Sequence, residues 1–291
     1  MATVVRSFAI QGIDGYPVDI EVKMLEGQPV ISIIGLGDQA VKEAAERIQA
    51  AIDESGYVFP KKRVIISLAP SDKKKSGSHF DLAMAVGVLC QNGDIGVKKL
   101  PDYGFIGELS LDGRLRACRG ILPMIIAGQK RGIKKIIVPE ANFKEASLVH
   151  GVEILGFYDL IGVVRYLEGK TSGIEMHMEE NEKILEESER ILDFKDVKGQ
   201  DELIEAVVLA AAGGHNMLMV GEPGCGKTMI AQRIPTILPE MTEEECLEVT
   251  KIYSISGLLP NGHTLMKYRP FRAPHHNASL NALIGGGANA M

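Results

Sequence analysis

Residues 221 to 228, Gly221-Glu222-Pro223-Gly224-Cys225-Gly226-Lys227-Thr228, carry glycines, a lysine and a hydroxyl at the spacing G-x4-G-K-[ST] of a Walker A loop. Glycine admits the backbone angles that turn successive N–H groups into one concave nest, and a helix starting at the end of the loop adds positive potential. A triphosphate fits such a nest. Lys227 would place its ammonium on the β- and γ-phosphates, and the Thr228 hydroxyl would be a ligand of Mg2+ held by those phosphates. Glu222 and Cys225 are expected to contribute backbone only. At ordinary glycine frequencies the pattern arises by chance in a chain of this length about once in a hundred, so nucleotide binding outweighs coincidence.

Hydrolysis needs further parts. A motor of this type also requires an apolar strand ending in Asp-Glu, to hold the metal and orient the attacking water, and no such run follows Thr228. The carboxylates there, Glu240, Glu243, Glu244, Glu245 and Glu248, read instead as parts of a helix whose start is marked by Thr242 with Glu245 three residues on, a capping box. His275-His276 is a poor metal site, because adjacent side chains point apart on a strand or helix and no third or fourth ligand lies at a recognisable spacing. The four cysteines, Cys90, Cys118, Cys225 and Cys246, form no Cys-x-x-Cys pair and are expected to be reduced and mostly core.

A phosphate loop has to be delivered by a strand and continued by a helix. The apolar run Asn216-Met217-Leu218-Met219-Val220 is the expected strand and Met229 to Ile234 the expected helix, preceded by a helix from Asp201 to Ala212 that Gly213-Gly214 ends. Upstream, residues 1–170 alternate short β-rich runs with helical patterns. The strand candidates are Thr3 to Ile10, Val18 to Met24, Val30 to Ile34, Arg63 to Leu68, Gly104 to Leu109 and Lys135 to Val138, rich in Val and Ile and bounded by Gly, Pro or Asp. A helix is predicted over Gln39 to Ser55, where Val41, Ala45, Ile48 and Ile52 recur at spacings of three and four and Asp38 can cap its free N–H groups. Asp112-Gly113, between the apolar-alternating arms of 109–116, suits a two-residue hairpin with positive φ at both turn positions. Consecutive βαββ elements with a hairpin favour an α+β fold over a doubly wound sheet.

The chain has 291 residues, 45% of them hydrophobic and 24% charged, with a formal charge of -6, which gives material for two cores. No apolar stretch approaches the ~18 residues a membrane span needs, and the start lacks the pattern of a signal peptide, so a cytoplasmic, non-membrane protein is expected. The charge is uneven. Residues 1–170 carry 22 Lys and Arg against 20 Asp and Glu, whereas residues 171–190 alone hold seven Glu against Lys183 and Arg190. That stretch reads as an acidic linker, 171–192, between a domain of residues 1–170 and a segment of residues 193–291. Lys61-Lys62-Arg63, Lys73-Lys74-Lys75 and Lys130-Arg131 with Lys134-Lys135 could form a basic face for phosphate backbones, although lysine runs in loops are more often simply solvated. With no Trp and 5% aromatics, stacking on single-stranded bases has no support.

Taken together, the motifs resemble the magnesium-chelatase-like AAA+ ATPases of the YifB/ComM family. In the front region the resemblance rests on Gly35-Leu36-Gly37-Asp38-Gln39-Ala40-Val41-Lys42-Glu43, Leu68-Ala69-Pro70-Ser71-Asp72, Phe80-Asp81-Leu82, and Gly107-Glu108-Leu109 with Asp112-Gly113. In the rear it rests on Val197-x-Gly199-Gln200, the Walker A loop, Arg269-Pro270-Phe271-Arg272-Ala273-Pro274-His275-His276 and Ala282-Leu283-Ile284-Gly285-Gly286-Gly287. Gly37 stands where proline is usual.

The resemblance implies a front domain with the ribosomal-protein-S5-domain-2-like fold, similar to the Lon protease domain, followed by the first part of an α/β P-loop AAA+ domain. It implies ATP and Mg2+ as cofactors, with Val197, Gly199 and Gln200 beside the adenine. It also implies hexameric rings and a motor that remodels DNA, with branch migration the best-defined role. In such proteins the acidic metal site, sensors and arginine finger follow the Gly285 to Gly287 segment. This chain is therefore expected to be an N-terminal portion that binds nucleotide at most, whose strand 216–220 lacks its neighbours. Three alternatives stand beside this reading. A Lon-like peptidase would use Ser76 or Ser78, but Gly120 to Gln129 contains no lysine to act as base and Met124 lies near the expected position. A chelatase subunit would not carry the Lon-like domain, and a non-catalytic nucleic-acid-binding or regulatory module would rest on the basic clusters.

Overall fold

The computed structural model describes residues 2–171, 192–259 and 265–280. They cluster into two compact units, residues 2–171 with 250–259 and residues 192–249 with 265–280. The expected linker lies outside the described residues apart from positions 171 and 192, and so does the Gly285 to Gly287 segment.

In the first unit, β1 (Thr3–Gln11) and β2 (Asp14–Leu25) pair antiparallel from Thr3↔Val22 to Gln11↔Asp14. There follow β3 (Ile31–Ile34), α1 (Gln39–Glu54), β4 (Arg63–Ala69), α2 (Asp81–Asn92), β5 (Tyr103–Phe105), β6 (Glu108–Leu109) and β7 (Leu115–Arg116). The unit continues with α3 (Ile121–Lys130), β8 (Lys135–Pro139), α4 (Phe143–Ala146), β9 (Glu153–Phe157) and α5 (Leu160–Leu167). Seven strands form one sheet in the order β3-β4-β2-β1-β5-β8-β9, and β6 pairs with β7 apart from it. Pairs β3–β4, β1–β5, β5–β8 and β8–β9 are parallel, while β1–β2 and β2–β4 are antiparallel. The unit is thus a mixed α/β sheet, richer in parallel pairs than the α+β expectation. A parallel pair needs a crossover, and α1, α3 and α4 supply those between β3 and β4, β5 and β8, and β8 and β9.

Alternation along β1 sends Val5 and Ala9 to one face of the sheet and Phe8 to the other. Val5 and Ala9 join a continuous core with Ile48 and Ile52 of α1, Leu82 and Val86 of α2, and Val163 of α5. Phe8, fully buried, packs against Gly128 of α3. The α1 stripe forms with one change: Val41, Ile48 and Ile52 are buried as the spacing predicts, joined by Ala44 and Ala51, while Ala45 is only half-buried; the Asp38 carboxylate accepts from Val41 N. Asp81 and Arg47 form an ion pair within this unit. Asp81, fully buried, is held by Arg47 at 2.8 and 3.1 Å. Burial pushes its carboxyl up to about 6 even though Arg47 opposes the shift.

Several boundaries differ from the sequence reading. Gly104 to Leu109 is two strands, because Ile106 N donates to Ile137 O while Gly107 N leaves the ladder for His79 O. The 109–116 hairpin has a three-residue loop instead of two: Gly113 N donates to Ser110 O, Ser110 N to Arg114 O, and only Gly113 has positive φ, at 80°. Asp112 instead accepts from the Ser110 hydroxyl and Arg114 N, a local alternative to the left-handed turn. Residues 250–259, read with the rear segment, cluster with the first unit, where Gly120 N donates to Ser254 O at 3.0 Å and the Ser254 hydroxyl to Glu145.

The second unit holds α6 (Asp201–Gly213), α7 (Lys227–Ala231) and the start of α8 (Glu243–Ser256). Asn216 to Val220, expected as a strand, carries no ladder among the described residues, and Leu218 and Val220 are 88% and 87% exposed. An apolar run without a neighbouring strand has nothing to complete its backbone pairing. The helix expected over Met229 to Ile234 ends at Ala231, since Pro235 removes a donor and its ring collides with the carbonyl four residues earlier. The capping box forms as read: Glu245 N donates to Thr242 Oγ1 at 3.2 Å and Thr242 N to Glu245 Oε2 at 2.9 Å.

Candidate nucleotide site

The loop 221–228 turns at Gly224 and Gly226, with φ of 84° and 88°, conformations that a side chain would strain. Lys227 opens α7 and folds back into the turn it follows. Its ammonium donates to the carbonyls of Gly221 (2.8 Å) and Glu222 (2.7 Å), so the cation sits inside the loop. Phosphate oxygens are acceptors of the same kind with more negative charge, and the residues present fit a polyphosphate on this ground. Cys225 corrects the sequence reading, because its Sγ also accepts from Lys227 Nζ, at 3.3 Å. Thr228, the second residue of α7, is exposed. At five residues α7 is short, so less helix-end potential reaches the loop than the sequence suggested. Gly221, Glu222 and Pro223 are exposed and supply the loop's first turn.

Of Val197, Gly199 and Gln200, it is Gln200 that reaches this loop. Val197 is buried, while Gly199 and Gln200 are both left-handed, with φ of 67° and 61°. The Gln200 side chain donates to Cys225 O at 3.1 Å, a contact with the phosphate loop that the adenine expectation did not include. Arg233, which no motif singled out, is buried and donates to Asp193 O (2.9 Å), Met229 O (3.0 Å) and the Asp196 carboxylate (3.4 Å). Its position four residues after Met229 on the helical pattern was the available signal, and an isolated arginine there reads as surface.

Other sequence candidates separate. His275 and His276 do not point apart: their rings lie 4.1 Å centroid to centroid at 34°, because the segment is neither strand nor helix. Among the described residues no group of three or more His, Cys, Asp and Glu side chains could hold a metal ion. Lys75 leaves the basic face altogether. It is buried, its ammonium donates to Pro70 O and to Lys73 O (2.8 Å), and burial lowers its pKa. Lys62, Arg131, Lys134 and Lys135 each pair with an acid: Glu26, Asp19, Asp102 and Glu153. Ser78 donates to the carboxylate of Glu108, and Met124 is fully buried on α3. Of the cysteines, Cys90 and Cys246 are core as read, Cys118 is half-buried and Cys225 exposed. Among the described residues no helix is long and apolar enough to cross a membrane.

A mixed α/β unit followed by a phosphate-loop segment is the class of protein these elements define, and known proteins share it. The family model for subunit ChlI of Mg-chelatase matches residues 20–142, and that for magnesium chelatase, subunit ChlI, matches residues 193–291. Competence protein ComM of Haemophilus influenzae is 38% identical over 285 residues, 98% of this chain and 56% of its own length. The uncharacterized protein YifB of Escherichia coli is 39% identical over 291 residues, 98% of this chain and 55% of its own. A Lon protease of Rhizobium meliloti is 26% identical over 149 residues, 49% of this chain and 18% of its own. The chain belongs to the YifB/ComM family of magnesium-chelatase-like proteins. It spans about half the length of the curated relatives it matches.

Proposed function

We propose that this chain binds ATP with Mg2+ through residues 221–228 and serves an AAA+ magnesium-chelatase-like ATPase that assembles as a hexameric ring and remodels DNA. The first unit would have the S5-domain-2-like, Lon-like fold. The observation that carries the nucleotide reading is the Lys227 ammonium, drawn into a turn whose Gly224 and Gly226 have positive φ. Bound Mg2+ would neutralise phosphate charge, and the Thr228 hydroxyl is the side chain that would meet it. Lys227 holds the polyphosphate, and the loop backbone orients it. Titration of the chain with a fluorescent ATP analogue in Mg2+ buffer tests this: saturable binding that Lys227→Ala abolishes or weakens supports the reading, and equal affinity in both proteins refutes it.

DNA as the partner rests on the family resemblance and on a basic surface reduced to fewer residues than the sequence offered. Lys61, Lys74 and Lys130 are exposed, whereas Lys75 is buried. Salt-dependent DNA binding whose slope falls in the Lys61, Lys74, Lys130 triple-alanine variant would support it; an unchanged slope would remove that surface. Peptidase chemistry is disfavoured, since Ser78 faces a carboxylate and not an amine.

A further inference from the structure

Gln200 occupies the position just before α6, where a side chain ordinarily caps the free N–H groups of the helix, yet it makes no such bond. It is also left-handed, at φ 61° and ψ 40°, a conformation that costs a residue with a Cβ on the order of 1 kcal/mol. The amide reaches Cys225 O at 3.1 Å, and because that partner is an acceptor, the atom facing it is the donor Nε2.

The place of this bond matters. Cys225 lies between the two positive-φ glycines of the phosphate loop, and its carbonyl belongs to the peptide whose N–H is that of Gly226. A trans peptide is planar, so its C=O and N–H point opposite ways. Holding the Cys225 carbonyl towards Gln200 therefore turns the Gly226 N–H away from it. The other end of the same segment is also fixed, through Arg233 bonded to Asp193 O, Asp196 and Met229 O. Residues 193–200 are thus tied to the loop at Gln200 and to α7 and its continuation by Arg233.

We propose that Gln200 is a positioning residue of the phosphate loop, which sets the orientation of the Cys225–Gly226 peptide and so selects for the polyphosphate of the nucleotide and not for its base. The inference rests on the nucleotide reading of residues 221–228. A residue that contacted adenine would weaken every adenine-containing ligand alike, whereas one that orients a loop peptide weakens only those with phosphates in the loop.

The test is competition of ATP, ADP and adenosine against a fluorescent ATP analogue on the full chain, for the wild type and for Gln200→Ala, Gln200→Gly and Gln200→Glu. Loss of one hydrogen bond corresponds to about a tenfold effect. In the alanine and glutamate variants, ATP and ADP are expected to weaken about tenfold while adenosine changes less than twofold. Glycine relieves the left-handed strain without restoring the amide, so it is expected to behave as alanine does; wild-type affinity in Gln200→Gly would show that backbone conformation alone matters and overturn the proposal. So would an equal loss for ATP and adenosine, or no loss at all, with the wild type still binding ATP. If the wild type binds no ATP, the nucleotide reading fails and this inference with it.

Discussion

The two units hold their shape by different means. In the first, both faces of a seven-stranded sheet are covered, and fully buried side chains from β1, β2, β4, α1 and α2 form one cluster. In the second, the buried apolar side chains among the described residues are Val197, Val207, Ile230 and Cys246, and order is carried by directed polar contacts: the Arg233 clamp, the Gln200 amide, the Lys227 ammonium and the Thr242–Glu245 box. Burial is non-directional and sums over area, so it makes a unit indifferent to any one exposed residue. A few hydrogen bonds, each about 1 kcal/mol net, leave local conformation responsive to a ligand. On the nucleotide reading, the difference suits a rigid first unit and a loop in the second that adapts to phosphate.

The largest expected contrast is in stability. Phe8→Ala empties a fully buried site against α3 and should cost about 3–5 kcal/mol, whereas Leu218→Ala should stay within about 0.5 kcal/mol. Urea unfolding of both variants measures this, and similar costs would break the comparison.

Next comes pH. Burial holds His79 neutral down to about 4 while its Nε2 bonds Phe8 O at 3.0 Å. The unfolded chain takes up that proton near 6.5, so the stabilising effect is present above pH 6.5 and is lost as pH falls towards 4, by at most about 3 kcal/mol. His79→Gln keeps a donor for Phe8 O but does not titrate. The stability gap between variant and wild type should therefore change over that window and be flat above it; a gap that is constant from pH 7 to 4.5 would contradict the assignment.

Smaller effects are expected in the second unit. Lys227→Ala removes charge-assisted bonds of about 1.5–3 kcal/mol, a loss of roughly 10- to 100-fold in ATP affinity, with little change in the unfolding of the first unit. Thr242→Ala should lower helicity of α8 by a cap's worth, about 1 kcal/mol, detectable as faster amide exchange over its first turn. Unchanged exchange there would mean that the polar contacts do not hold this unit.

What could be read in advance was what depends on near neighbours. Asp38 capping α1, the Thr242–Glu245 box, the stripe at Val41, Ile48 and Ile52, and the inward lysine of the phosphate loop each involve residues within a turn or two of one another. β9 has no clear sequence signal, because Glu153 to Phe157 is short and interrupted by Gly156, and it becomes a strand by pairing with β8. Lys75 reads as one of three solvated lysines; its burial follows from Lys75 N and O bonding Leu36 and Asp38, nearly forty residues away.

The sequence by itself determined the phosphate-loop motif, the helix caps and the family, because each is written in residue type at fixed short spacing. The parallel pairing of the sheet, the neutral His79 and the buried Lys75, and the turn of Gln200 towards Cys225 were decided by tertiary structure. These depend on which distant backbone groups and side chains share a dielectric environment and a hydrogen-bond partner, and no local spacing specifies that.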